Sequence, residues 1–166
     1  MSDTATGQLG VNVGATYLSA DNLPHAQGTV IHTVNGRVVL VQAQSAITQY
    51  NLCVYAPSSA GASASIDAYP ASLTNVSGRL FAVAQTSIAK SAYGWLHIEC
   101  RKEGRITATA METGVIPCLT ATGGVIDDAG TSGKQLTNLW VQESVTSASA
   151  PRAVWGEIAL EPNQLA

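Results

Sequence analysis

Short apolar stretches recur along this chain, broken by turns rich in Gly, Ser, Asn and Asp. No stretch keeps a helical period over three turns, and the spacing of about 8 to 15 residues between runs predicts an all-β sandwich or barrel. The strongest local signal is "TVIHTVNGRVVLVQA", residues 29–43. Asn35-Gly36 lies between two β-branched runs, and Asn-Gly is the preferred pair of a two-residue type I′ turn. The expected pairing is Val34 with Arg37, Thr33 with Val38, His32 with Val39 and Ile31 with Leu40. One face then carries Val30, His32, Val34, Val39 and Val41, the other Ile31, Thr33, Val38 and Leu40. A hairpin apolar on both faces must be covered on both.

The same reading predicts strands at "QYNLCVYA" (49–56), ending before Pro57, and at "GRLFAVAQ" around Leu80 to Ala84. "TSIAKSAYG" reads as a short helical turn or an irregular loop. "WLHIEC" is a strand, "RKEG" a charged turn, "RITATAM" a strand, and "LWVQESV" and "AVWGEIALE" close the chain as strands. "PSSAGASAS" and "ATGGVIDDAGTSGK" are loops. No exact internal repeat appears. Residues 1–28, rich in Gly, Thr, Asn and Ala, read as an N-terminal arm ordered against neighbours. Residues 29–166 form the single β-rich domain.

Aromatic and ionisable residues concentrate in "SAYGWLHIEC", residues 91–100, in a chain with three Trp, five Tyr, three His and three Cys. Strand periodicity puts Tyr93, Trp95, His97 and Glu99 on one face, and Leu96, Ile98 and Cys100 on the other. Cys100 points away from His97, so within this strand they cannot be a nucleophile and its base. Leu96 and Ile98 mark a core face. A large aromatic among polar neighbours suits a surface covered by a partner, so Tyr93, Trp95, His97 and Glu99 are the candidate interface. Gly94 between two aromatics predicts a bend, a bulge or a close backbone approach.

Charged residues are 11% of the chain, with a net charge of −3. That low charge fits a surface paved with small neutral groups or covered by other subunits. Eight basic residues without a cluster exclude sequence-independent nucleic-acid binding. No apolar run reaches the roughly 18 residues of a membrane span, and "MSDTATGQLG" is not a signal peptide. Without a secretion signal, the sequon at Asn75 carries no weight. Cys53, Cys100 and Cys118 are odd in number and lack CxxC spacing, as expected of reduced, buried thiols made in a cytoplasm. His25, His32 and His97 lie in separate segments and predict no metal site. Asp127-Asp128 lacks the alternating acidic ligands of an EF-type loop and reads as a solvated turn. No P-loop and no GxSxG is present. The chain is expected to bind no cofactor and to be no enzyme.

"VVLVQAQSAITQYNLCVY" (38–55), "GRLFAVAQTSIAKSAYGWLHIEC" (78–100) and "LTATGGVIDD" (119–128) together resemble, in this order, head decoration (cement) proteins of tailed bacteriophages. The resemblance covers residues 28 to 130. Ala82 replaces a more usual Gly, His97 a common Gln, and Glu99-Cys100 a frequent Gly. The resemblance implies a β-rich protein of the outer capsid surface, made in the host cytoplasm. Such a protein is usually a homotrimer that binds the major capsid protein and clamps neighbouring capsomers in the expanded shell, with no membrane or nucleic-acid partner. A host-attachment or glycan-binding module on the virion is the alternative, and Trp95, Trp140 and Trp155 are its candidate aromatics.

Overall fold

In a computed structural model, residues 12–58, 65–128 and 135–160 are described. Parts of the expected arm (1–11), of the two expected loops (59–64 and 129–134) and the end of the chain (161–166) lie outside them. The described strands are β1 (Thr16–Tyr17), β2 (Val30–Thr33), β3 (Gly36–Ala43), β4 (Leu52–Pro57), β5 (Ile66–Pro70) and β6 (Leu80–Val83). They continue with β7 (Tyr93–Arg105), β8 (Cys118–Leu119), β9 (Ile126–Asp127), β10 (Leu136–Val141) and β11 (Arg152–Leu160). The one helical element among them is a 3-10 turn at Ala20–Asn22, capped by Ser19, whose hydroxyl accepts the Asp21 N–H.

The all-β fold expected from the sequence is observed, and its centre is a barrel. β3, β5, β4, β6 and β7 pair in that order, and β7 returns to pair with β3, which closes a five-stranded ring. Only the β3–β5 contact in this ring is parallel. A five-stranded ring leaves a narrow lumen. The inward positions are accordingly small: Ala43, Cys53, Ala68, Ala82 and Ala84 join Val39, Val41 and Leu96. Ala82 is thus a lumen residue whose size the ring dictates.

The outer wall of the barrel carries two further cores. Leu52, Val54, Phe81 and Val83 on β4 and β6 pack with Leu139, Val141 and Trp155 of the β10–β11 hairpin and with Leu119 and Ile126. On the other side, Val38, Leu40 and Trp95 pack with Ile31 and Val13. β3 is therefore apolar on both faces and covered on both, as its pattern required.

The hairpin register differs from expectation. Ile31 faces Val38, His32 faces Arg37 and Thr33 faces Gly36, so the turn residues are Val34 and Asn35. The faces survive because the pairing moves by two positions, one full side-chain period. Gly36 has a positive φ (135°) and Asn35 does not. Two things override the Asn-Gly preference. Thr33 closes the turn locally: its hydroxyl accepts the Asn35 N–H and donates to the Gly36 carbonyl. Gly36 meanwhile lies against β7, where a Cβ would sit 2.1 Å from the Glu99 carbonyl oxygen.

"RKEG" is not a turn. β7 runs unbroken for 13 residues. Across from β11, Ala153 faces Gly104 and Trp155 faces Cys100, so residues 101–103 form a bulge opposite Val154. Asn35 holds this stretch: its carbonyl accepts the Arg101 N–H (2.8 Å) and its Oδ1 the Lys102 N–H (3.2 Å). Gly104 is a close-approach glycine, since a Cβ there would lie 2.3 Å from the Trp155 ring. "RITATAM" forms no strand beyond Arg105. Ala108 and Met111 make isolated bridges to Ser149 and Val145, so this segment is an irregular cover over the second core.

A degenerate repeat is visible in three dimensions. "AQSAI" (43–47) and "AQTSI" (84–88) both leave a barrel strand. Ile47 and Ile88 exchange two backbone hydrogen bonds of 2.9 Å, and Tyr50 and Ser91, at matching offsets, both take a positive φ. The Tyr50 N–H donates to the Ala84 carbonyl, and the Ser91 N–H donates to the Ala43 carbonyl. The stretch expected as a helical turn or loop is thus a loop that closes one end of the barrel with its twin. Gly94 stands in close approach, where a Cβ would meet Ile88 at 2.6 Å.

Candidate functional site

Tyr93, Trp95 and His97 share the outward face of β7, but Glu99 does not: His97 faces Val38 and Glu99 faces the adjacent Arg37, so a bulge at Ile98 turns Glu99 to the opposite face and sends Cys100, expected beside Leu96 and Ile98, into the outer core. The chain itself covers the three that remain. Trp95 is 1% exposed, His97 3% and Tyr93 9%. Residues 12–28 provide much of the cover. β1 pairs with β7 through Thr16–Gly94 and Tyr17–Tyr93. Leu23 packs on the Trp95 cluster, and the His25 ring meets the indole edge-on at 6.1 Å. The burial of Trp95 is intramolecular, so the sequence signal of an aromatic that needs cover is met by the chain's own N-terminal segment.

Glu99 is largely covered, with 13% of its side chain exposed. Its carboxylate accepts hydrogen bonds from Arg101 and, at 2.6 Å, from Arg37. The Arg101 hydrogen bond, helped by Arg37, holds the Glu99 carboxyl below its ordinary range against the opposing effect of burial. The three thiols are buried. Burial pushes the Cys53 thiol far up, and its S–H donates to the Asn51 carbonyl, so no thiolate is available there. Burial, then the charges of Asp127 and Asp128, push Cys118 up as well. No cluster of three metal-ligating side chains occurs among the described residues.

The largest exposed aromatic surface lies elsewhere. Trp140 on β10 is 64% exposed. It borders a shallow open groove of about 750 Å³ that crosses β10, β11 and the bulged part of β7. Two consecutive bulges build this groove. In the first, Thr137 faces Ala159 and Leu139 faces Trp155, so Asn138 stands opposite Gly156, Glu157 and Ile158. Asn138 takes a positive φ of 59° to make that step. The second is the 101–103 bulge of β7, which carries Arg101 and Lys102 to the rim. Bulges of this kind re-aim side chains and concentrate beside binding sites. The sequence flagged Trp140 only as one of three tryptophans. The bulges that single it out arise from strand register and leave no local motif.

The fold is similar to the N base of head fiber gp8.5 of bacteriophage phi29, as seen in its crystal structure. The TM-score is 0.51 at 14% identity, and the match covers 74% of this chain and 97% of that chain. No protein-family description matches the chain, and no curated protein does.

Proposed function

We propose that this chain is a structural protein of a tailed-bacteriophage head, acting as a cement protein on the outer surface of the capsid. It binds the major capsid protein at capsomer junctions as a homotrimer and stabilises the expanded shell. The observation that carries this reading is the fold likeness to a head-fiber base, which spans nearly all of that domain. The motifs at 38–55, 78–100 and 119–128 support it independently, and the 11% charged composition suits a protein embedded among other subunits. A few hundred Å² of apolar contact per site, at about 25 cal/mol per Å², supplies several kcal/mol before association costs. Repetition over a closed lattice makes such modest contacts sufficient.

The test is co-sedimentation of the purified protein with expanded and unexpanded capsids, alongside sedimentation velocity of the protein alone. The reading expects a trimer, saturable binding to expanded shells and a higher heat-disruption temperature of the decorated shell. A stable monomer with no affinity for expanded capsids rejects it.

A further inference from the structure

We propose that the groove beside Trp140 is a carbohydrate-binding site, separate from any contact with the shell. Three observations converge on a ligand site there. First, Trp140 presents its indole to solvent on a strand whose other apolar groove residue, Leu139, is buried. Second, Gly156 lies in the groove at the β10–β11 bulge, and a Cβ added there meets nothing within 4 Å, so the backbone of β11 is open to approach from outside the chain at this point. Third, the β11 bulge brings Asn138, Gly156 and Glu157 together against Trp140.

The chemistry of the lining selects the ligand class. The face of a pyranose ring presents C–H groups that pack on an indole, and its edge presents hydroxyls that both donate and accept. Trp140 supplies the platform. The amides of Asn138 and Gln142 offer donors and acceptors, and the Glu157 carboxylate accepts. A polyanion is a poorer fit: Arg101 is already bonded to Glu99, and the Glu157 carboxylate lines the same groove as Lys102. A peptide added as a strand would pair along the outer edge of β10, the end strand of the sheet, whereas this groove runs across the face of β10 and β11, whose facing backbones are paired from Leu139 to Val141 with Ala153 to Trp155. A protein interface of ordinary size needs roughly 1,200–2,000 Å² with an apolar centre. Here the exposed apolar surface is one indole beside a half-buried Val154, since Trp155 is 2% exposed.

The experiment titrates the full chain with hexaoses of glucose, N-acetylglucosamine and mannose, read by calorimetry and by tryptophan emission. Trp95 and Trp155 are buried, so a blue shift on binding reports Trp140. At least one hexaose should bind and shift the emission. Trp140→Ala and Gly156→Val should each weaken that binding at least about tenfold. Trp140→Ala should keep the melting temperature of the parent, because its side chain is exposed. Capsid co-sedimentation of both variants should match the parent. Absence of binding by all three sugars to about 10 mM overturns the proposal, as do variants that bind like the parent. If the variants instead lose capsid binding while no sugar binds, the groove is a shell contact. That result overturns the carbohydrate site and leaves the head-protein reading standing.

Discussion

Replacing Trp95 by Ala separates two readings of the same residue. As an interface anchor it would cost association and leave the isolated fold nearly intact. The structure places it inside the chain instead, 1% exposed among Val38, Leu40, Ile31 and Val13. A buried Trp removes about 150–250 Å² from water, worth roughly 4–6 kcal/mol at about 25 cal/mol per Å². The Trp95 Nε1 has no hydrogen-bond partner, so truncation forfeits packing and no polar contact. Large-to-small changes of this kind cost about 3–5 kcal/mol after partial collapse of the cavity. The loss should also loosen residues 12–28, whose Leu23 and His25 rest on the indole. In urea unfolding, with a slope of about 2 kcal/mol per M, the midpoint should fall by roughly 2 M. Trp95→Phe should recover more than half of that loss. A midpoint unchanged within about 0.3 M, with the oligomer lost, would refute the intramolecular assignment and restore Trp95 to the interface.

Gly104→Ala should destabilise the fold by about 1–3 kcal/mol, because the added carbon enters the Trp155 ring; a melting curve like the parent's would contradict the packing described. Ala82→Leu should overfill the lumen, with a similar or larger loss in denaturant unfolding, whereas Ala82→Gly should cost no more than about 1 kcal/mol. The folded-state pKa of Glu99 is lowered, so its ion pairs contribute above its unfolded value near 4.5 and that contribution is lost as pH falls through the folded value. The parent should therefore lose stability faster than Glu99→Gln on acidification below about pH 5, and parallel curves would show that the pairs contribute nothing. Cys53, Cys100 and Cys118 should resist iodoacetamide in the native protein and label fully in urea; rapid native labelling of Cys53 would contradict its burial.

Period-two patterning was enough to read β3, β4 and β6 of the barrel wall and β10 and β11 of the hairpin outside it, because each carries apolar residues at alternating positions. It also sorted the faces of β7 as far as Ile98: Leu96 and Ile98 point into the lumen and Trp95 points out, but the bulge at Ile98 puts Glu99 and Cys100 on the faces opposite to those expected. What stayed hidden depends on contacts distant in the chain. "RKEG" carries the composition of a turn, yet Asn35 and the Trp155 ring hold it as a bulged strand. The Asn-Gly turn moved because Gly36 answers to the Glu99 carbonyl of another strand. The cover over Trp95 comes from a segment with no periodic pattern of its own, so the sequence could show that the indole needs burial but not what buries it. The groove at Trp140 depends on two register shifts, which are visible only in three dimensions.

As a head component, this barrel would be seated on the shell, and a reconstruction of expanded capsids incubated with the purified protein shows whether it is. Trimeric barrel-shaped density on the outer surface at capsomer junctions, absent from capsids without the protein, is the expected result. Shells that remain bare at saturating protein concentration contradict it.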